Sequence, residues 1–219
     1  MFALVNKSDN SITKTYSGRR GITIGENQYP QTIITLWTEA ERNAIDIYTI
    51  EMDNSKFKNE QWYNNTDITY SFDGSKAKGS YGDATAKAHA DVNHVWTQEE
   101  IDDGEAPDGT SEGDAKKDDD GNQLITRGLK YILIKKIKDQ AEGELNKTDW
   151  YVIRKTEEDI AIPSTITTHR KAVRSKQAEM ETAITNASDT PALETLYTYT
   201  EQEDGSVTRP LGELPTLED

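Results

Sequence analysis

Short alternating runs of apolar and polar residues fill the first hundred positions. Phe2-Ala3-Leu4-Val5 is an apolar run closed by Asn6-Lys7-Ser8-Asp9-Asn10, a turn composition. Ile22-Thr23-Ile24 sits between Gly21 and Gly25. Ile45–Met52 shows an approximate two-residue period, and Ile68-Thr69-Tyr70-Ser71-Phe72 runs into Asp73-Gly74, a dipeptide suited to a hairpin turn. A return strand over Ala77–Tyr81 follows, weakened by glycine. One helix interrupts this pattern: Thr38 and Glu41 form a capping box at the start of Thr38–Ala44. Trp37, Tyr48, Trp62, Tyr63, Tyr70 and Phe72 supply the large groups for a core.

The period lengthens after residue 122. Leu124, Ile125, Leu129, Ile132, Leu133 and Ile137 recur at spacings of three to five and predict an amphipathic helix, with Gly143 at its end. Thr148-Asp149 opens a second helix through Trp150, Tyr151, Ile153 and Arg154. Pro163 opens a third, carrying Ile166, Ala172, Val173, Met180 and Ile184, and Thr190-Pro191 opens a fourth with Leu193, Leu196 and Tyr197. The pattern predicts an α+β chain. A β-rich domain covers residues 1–96, an acidic flexible linker 97–122, a three- to four-helix module 123–200, and an extended acidic tail 201–219.

Charge supports these boundaries. The chain has 219 residues, 40 acidic against 25 basic, and a net charge of −15. Residues 97–122 hold 11 of the acidic groups against 2 basic ones, with Ile101 their only sizeable apolar side chain. Such a segment buries too little surface to offset the entropy of ordering it. Residues 123–187 are the exception, with 12 basic and 9 acidic groups. The overall charge repels polyanions, so no nucleic-acid partner is expected. No run approaches the roughly 18 apolar residues of a membrane-spanning helix, and Met1–Ser8 lacks the pattern of a signal peptide, so no membrane partner is expected. The absence of cysteine excludes thiol nucleophiles, disulfides and cysteine-ligated metals.

Candidate chemistry is sparse. His89 and His94 are five apart, whereas a metal-binding pair on a helix sits at i and i+4. His169 stands beside Arg170 with no nucleophile motif nearby. With Gly121 at the sixth place of a calcium loop, Lys116 and Arg127 occupy the first and twelfth, where carboxylates are needed. Gly74–Gly82 lacks the Gly-Lys-Ser/Thr ending of a phosphate loop. The one carboxylate pair with aromatic neighbours is Asp67 and Asp73, near Trp62, Tyr63 and Tyr70, the minimum for a glycan hydrolase. No catalytic residue, metal or cofactor is assigned, and the expected class is non-enzymatic. Arg170, Lys171, Arg174 and Lys176 form a basic cluster, with Arg170 and Arg174 sharing a helix face suited to an acidic partner surface.

One stretch is recognisable. Thr148-Asp149-Trp150-Tyr151-Val152-Ile153-Arg154-Lys155-Thr156-Glu157, then Ile162-Pro163, then His169-Arg170-Lys171-Ala172-Val173-Arg174, resembles a C-terminal module of tailed-bacteriophage tail proteins described as tail-assembly-chaperone-like or tail-fibre-associated. His169 stands where that family carries an aromatic residue. The opening Phe2–Val5, Gly21–Gly25 and Tyr29-Pro30 is similar to the small β units that precede this module. The resemblance implies a non-enzymatic virion protein that binds other tail, baseplate or fibre proteins, with a homo-oligomer following tail symmetry. Its alternative is a transient assembly chaperone in the host cytoplasm. Trp150, Arg154, Arg170 and Arg174 are the candidate partner-binding residues. Trp150 is expected to pack on the following helix, and Arg154 to pair with Glu157.

Overall fold

Phe2–Asn6 forms strand β1 because its alternation answers two apolar surfaces at once. Ala3 and Val5 are buried on one side, and Phe2 and Leu4 lie against a second cluster on the other. In the turn that follows, the Asn6 and Asp9 side chains accept the N–H groups of Ser8 and Ser11. The chain returns as β2, Ser11–Tyr16, whose polar sequence hid it. The computed structural model describes residues 1–17 and 20–217, which fall into two units, Met1–Thr85 and Ala86–Asp219.

In the first unit a hairpin of β3 (Ile22–Ile24) and β4 (Asn27–Tyr29) leads into the short helices α1 (Thr32–Thr35) and α2 (Glu39–Asn43). The predicted capping box is present at α2, with Thr38 and Glu41 answering each other's backbone N–H groups. Strand β5 (Ile47–Asp53), the two-residue β6 (Tyr63–Asn64), β7 (Thr69–Phe72) and β8 (Ala77–Ser80) follow. The Asp73-Gly74 turn joins β7 to β8 as predicted, with Gly74 at φ +97°. The five-stranded sheet has the order β2-β1-β5-β8-β7 and is antiparallel except for β8, which inserts parallel to β5. The sheet curls until its edge strands β2 and β7 approach each other. Glycine in β8 is closely approached: a Cβ on Gly79 would lie 2.7 Å from the Met52 sulfur and 3.2 Å from Ile50 Cγ2, so a larger residue there displaces the Met52 side chain. One core joins Ala3, Val5, Tyr48, Ile50, Phe72 and Ala77. The other joins Ile22, Ile33 and Ile47, with Trp37 and Tyr29 packed against it.

The second unit departs from the predicted boundaries. The two-residue β9 (Thr85–Ala86) spans the division, and β10 (Val92–Asn93) pairs with β11 (Ile125–Thr126) across the acidic stretch, which is folded rather than an open linker. Helix α3 (Gln98–Asp102) has its own capping box from Thr97 and Glu100. Isolated bridges tie Val95 to Ala115 and Lys117 to Gln123. Lys116 pairs with Glu100 and stacks on Trp96 at 4.5 Å. Asp118 accepts the N–H groups of Asp120 and Asn122. Carboxylates that solvate a disordered chain can equally cap helices and close turns, and that local bonding needs no large apolar core. Leu124 and Ile125 are exposed at β11 instead of lying on a helix.

Three longer helices complete the unit: α4 (Leu129–Asn146), α5 (Asp149–Glu158) and α6 (Ser164–Asn186). Leu129, Leu133, Ile137 and Ala141 repeat every four residues on α4 and are buried. They face Ile166, Val173, Met180 and Ile184 of α6. The pair is antiparallel: Lys130 reaches the Thr185 carbonyl at one end and Arg170 the Leu145 carbonyl at the other. Gly143 does not end α4; a single glycine costs about 1 kcal/mol in a helix, less than the flanking packing supplies. Helix α7 (Thr190–Tyr197) is capped by Asp189, with Pro191 in its first turn. The predicted extended tail is partly folded. β12 (Thr200–Glu201) and β13 (Val207–Thr208) form a hairpin, and Leu211 is buried with its N–H on the Leu196 carbonyl. Glu218 and Asp219, the end of that predicted tail, lie outside the described residues.

Two outcomes follow from this packing. Ile137→Ala lowers the stability of the helical unit by about 2–5 kcal/mol, read as an earlier denaturant midpoint with unchanged slope. The hydrogen bond from Lys116, with the Thr97 N–H, holds the Glu100 carboxyl down to about 2 from its ordinary 4.5. A depressed acid stabilises the fold above its unfolded value and loses that contribution as pH falls toward its folded one. Acidification from pH 4.5 to 2 therefore loosens the loop, and Trp96 fluorescence reports it. Glu100→Gln removes that step.

Candidate functional site

The junction of α4, α5 and α6 gathers most of the residues that the sequence singles out. Thr148 is fully buried between α4 and α5. Its hydroxyl donates to the Leu145 carbonyl at 2.9 Å and accepts from Arg170 Nη1 at 2.7 Å, so it closes the turn and does not cap α5. Arg170 is 9% exposed and also donates to the Leu145 carbonyl and pairs with Asp149, both at 2.8 Å. The guanidinium thus sits at the C-terminal end of α4, where free carbonyls and the helix dipole favour a cation. Arg170, expected to meet a partner, is committed inside the fold. Its neighbour His169 is also buried, with Nε2 unpartnered.

Arg174 is placed differently. It is exposed on α6 and borders a groove of about 620 Å³ with Gln177, Glu181 and Thr185. The structure therefore separates the two arginines that share a face in the sequence pattern: one braces the helix junction and the other faces solvent.

Helix α5 is held at its first turn by the Arg170–Asp149 pair, and none of its residues is buried. Trp150 does not pack on the next helix but is 49% exposed. It stacks on Tyr151, with ring centroids 3.8 Å apart. The Arg154 guanidinium lies over both rings, 4.7 Å from the Trp150 centroid and 5.4 Å from that of Tyr151. This stack replaces the expected Arg154–Glu157 pair. Arg154 Nε is occluded without a hydrogen-bond partner, so an anion reaches only the Nη edge. Ile153 is 56% exposed and Ile160, just beyond the helix, 43%. The pattern of the sequence places Ile153 and Tyr151 on the helix without fixing which side faces outward. The spacing of Tyr151 to Arg154, three residues, was the available signal for the stack.

The remaining candidates are absorbed by the fold. Asp73 accepts the Lys76 and Ser75 N–H groups in the hairpin turn, which holds its carboxyl well below the usual carboxylate range. An acid catalyst needs the opposite shift. Trp62 and Tyr63 are buried rather than lining a cleft. His94 bonds the Thr126 hydroxyl at 2.7 Å. Among the described residues no group of three or more His, Asp or Glu is placed to hold a metal ion, and no helix is long and apolar enough to cross a membrane. No protein-family model, curated protein or solved structure matches the chain.

The two arginines are separable by stability. Arg170→Met removes a charged hydrogen-bond set and leaves the Thr148 hydroxyl without its donor, which costs about 1.5–3 kcal/mol in chemical denaturation. Arg174→Met, on the exposed groove, stays within about 0.5 kcal/mol of the parent.

Proposed function

We propose that this chain is a non-enzymatic bacteriophage tail protein that binds other tail, baseplate or fibre proteins as a component of the virion. The observation that carries the reading is the outer side of α5. Its Trp150 and Arg154 are residues of the stretch Thr148–Glu157 through which the chain resembles tail proteins; Trp150 stands exposed beside Ile153 and Ile160, with the half-buried Tyr151 and Arg154 stacked against it. Tryptophan, tyrosine and arginine are the residue types that dominate binding energy at protein interfaces, because they combine large area with few rotatable bonds or several donors. A helix with no fully buried residue and such a set on its surface contributes little core to its own unit. It is explained by a surface that another protein covers.

Quantitative mass spectrometry of purified, intact particles from the phage that encodes the chain tests the reading. The expected result is detection at a copy number set by the symmetry of the tail. Absence from particles, with recovery from infected cells on a fibre or tail protein, assigns the chain to transient assembly in the host cytoplasm instead. Absence from both overturns the reading.

A further inference from the structure

The exposed face of α5 carries opposite charges as well as apolar groups. At 3.6 residues per turn, Trp150, Ile153, Arg154 and Glu157 share one side of the helix. The ion pairs of this helix are Asp149–Arg170 and Lys155–Asp159, and among the described residues Arg154 and Glu157 form none. A cation stacked on aromatic rings but lacking a carboxylate partner, and an anion three residues on lacking a cation, form beside an exposed tryptophan a surface complementary to itself. Rotation by a half turn about a point between residues 155 and 156 brings position 154 opposite 157 and position 157 opposite 154. The same rotation brings Trp150 of each copy opposite position 161, beside Ile160 just beyond the end of the other helix.

We propose that α5 packs antiparallel against α5 of a second copy of this chain, with Arg154 of each copy paired to Glu157 of the other. A two-fold contact uses one patch twice, so each favourable pair occurs twice. An acidic segment of an unrelated protein would satisfy Arg154 and leave Glu157 unanswered, whereas a second copy answers both. The proposal rests on the reading of α5 as a contact face. The helix is about 15 Å long, which covers less than the roughly 800 Å² per partner of a standard interface. The dimer is therefore weak and reversible, and tightens where further contacts hold copies side by side. The net charge of −15 repels two copies at a distance, and physiological salt, with a Debye length of about 8 Å, screens that repulsion more than the contact pairs.

Sedimentation equilibrium of the full chain at physiological salt tests the contact. The expected mass rises with concentration from 24.6 kDa toward twice that value. Arg154→Glu and Glu157→Arg chains each stay monomeric. Mixed together they form a one-to-one heterodimer, because the two altered chains complement each other, and the chain carrying both substitutions dimerises again. Trp150→Ala stays monomeric. Matching far-UV circular dichroism shows that the variants are folded, as expected on a helix with no fully buried residue. A parent chain that remains at 24.6 kDa up to about 1 mM, the weak limit of specific association, overturns the proposal. So do single variants that associate as the parent does, or a mixture that yields no heterodimer. These measurements use the purified chain alone, so absence from phage particles would refute the tail reading and leave the dimer standing, and a monomer would do the reverse.

Discussion

A buried arginine at the end of a helix organises the C-terminal unit. Arg170 projects from α6 onto the last carbonyls of α4, and Thr148 and Asp149 supply its remaining partners. Removing a guanidinium from water is costly, and only a full set of acceptors offsets that cost. The set available here is the α4 C-terminus with the first residues of α5. Satisfying the arginine therefore fixes where α4 stops, how the chain turns, and where α5 begins. The antiparallel packing of Leu133 and Ile137 against Val173 and Met180 supplies the apolar stabilisation, and Arg170 sets its register at one end while Lys130 on the Thr185 carbonyl sets it at the other. Arg170 ties α5 down at Asp149 in its first turn, and Trp150 is left exposed with Tyr151 and Arg154 stacked against it.

Acidic residues do structural work wherever the apolar content is thin. Glu41 and Glu100 close capping boxes, Asp73 and Asp118 hold turns, and Asp189 caps α7. Each uses a carboxylate to answer backbone N–H groups that would otherwise be left without partners. The chain from Thr97 to Asn122 shows how far this goes. Its order comes from such local bonds, two isolated bridges and one lysine stacked on Trp96, with little apolar burial. That kind of stability follows the charge state of the carboxylates, which ties the loop to pH more closely than the helices are.

The first unit relies on burial instead. β1 is covered on both sides, and β5 is central to the sheet between β1 and the inserted β8. The close approach at Gly79 shows how tightly β8 fits against Met52 and Ile50. A sheet whose edge strands β2 and β7 approach each other offers less open edge for strand addition than a flat one. On α5, by contrast, Trp150, Ile153 and the neighbouring Ile160 lie exposed.

The amino-acid pattern by itself determined those elements whose signals are local. The run Phe2–Val5, the Asp73-Gly74 turn, the Thr38–Glu41 capping box and the helical stripes of α4 and α6 depend on residues a few places apart, and those neighbours meet in any fold. The split into a β-rich part and a helical part was legible for the same reason. Tertiary structure alone decided the polar strand β2, the parallel insertion of β8 and the folding of the acidic stretch, since each draws its partners from distant positions. It also decided the fates of the four candidate residues. A helix face of arginines reads as solvated charge until a neighbouring helix end supplies acceptors, as Leu145 and Thr148 do for Arg170 but not for Arg174. A tryptophan reads as core until the turn that precedes it points its helix outward, as the buried Thr148 does for Trp150. Sequence records which groups need partners, and the long-range geometry of the chain settles which of them find partners within the fold.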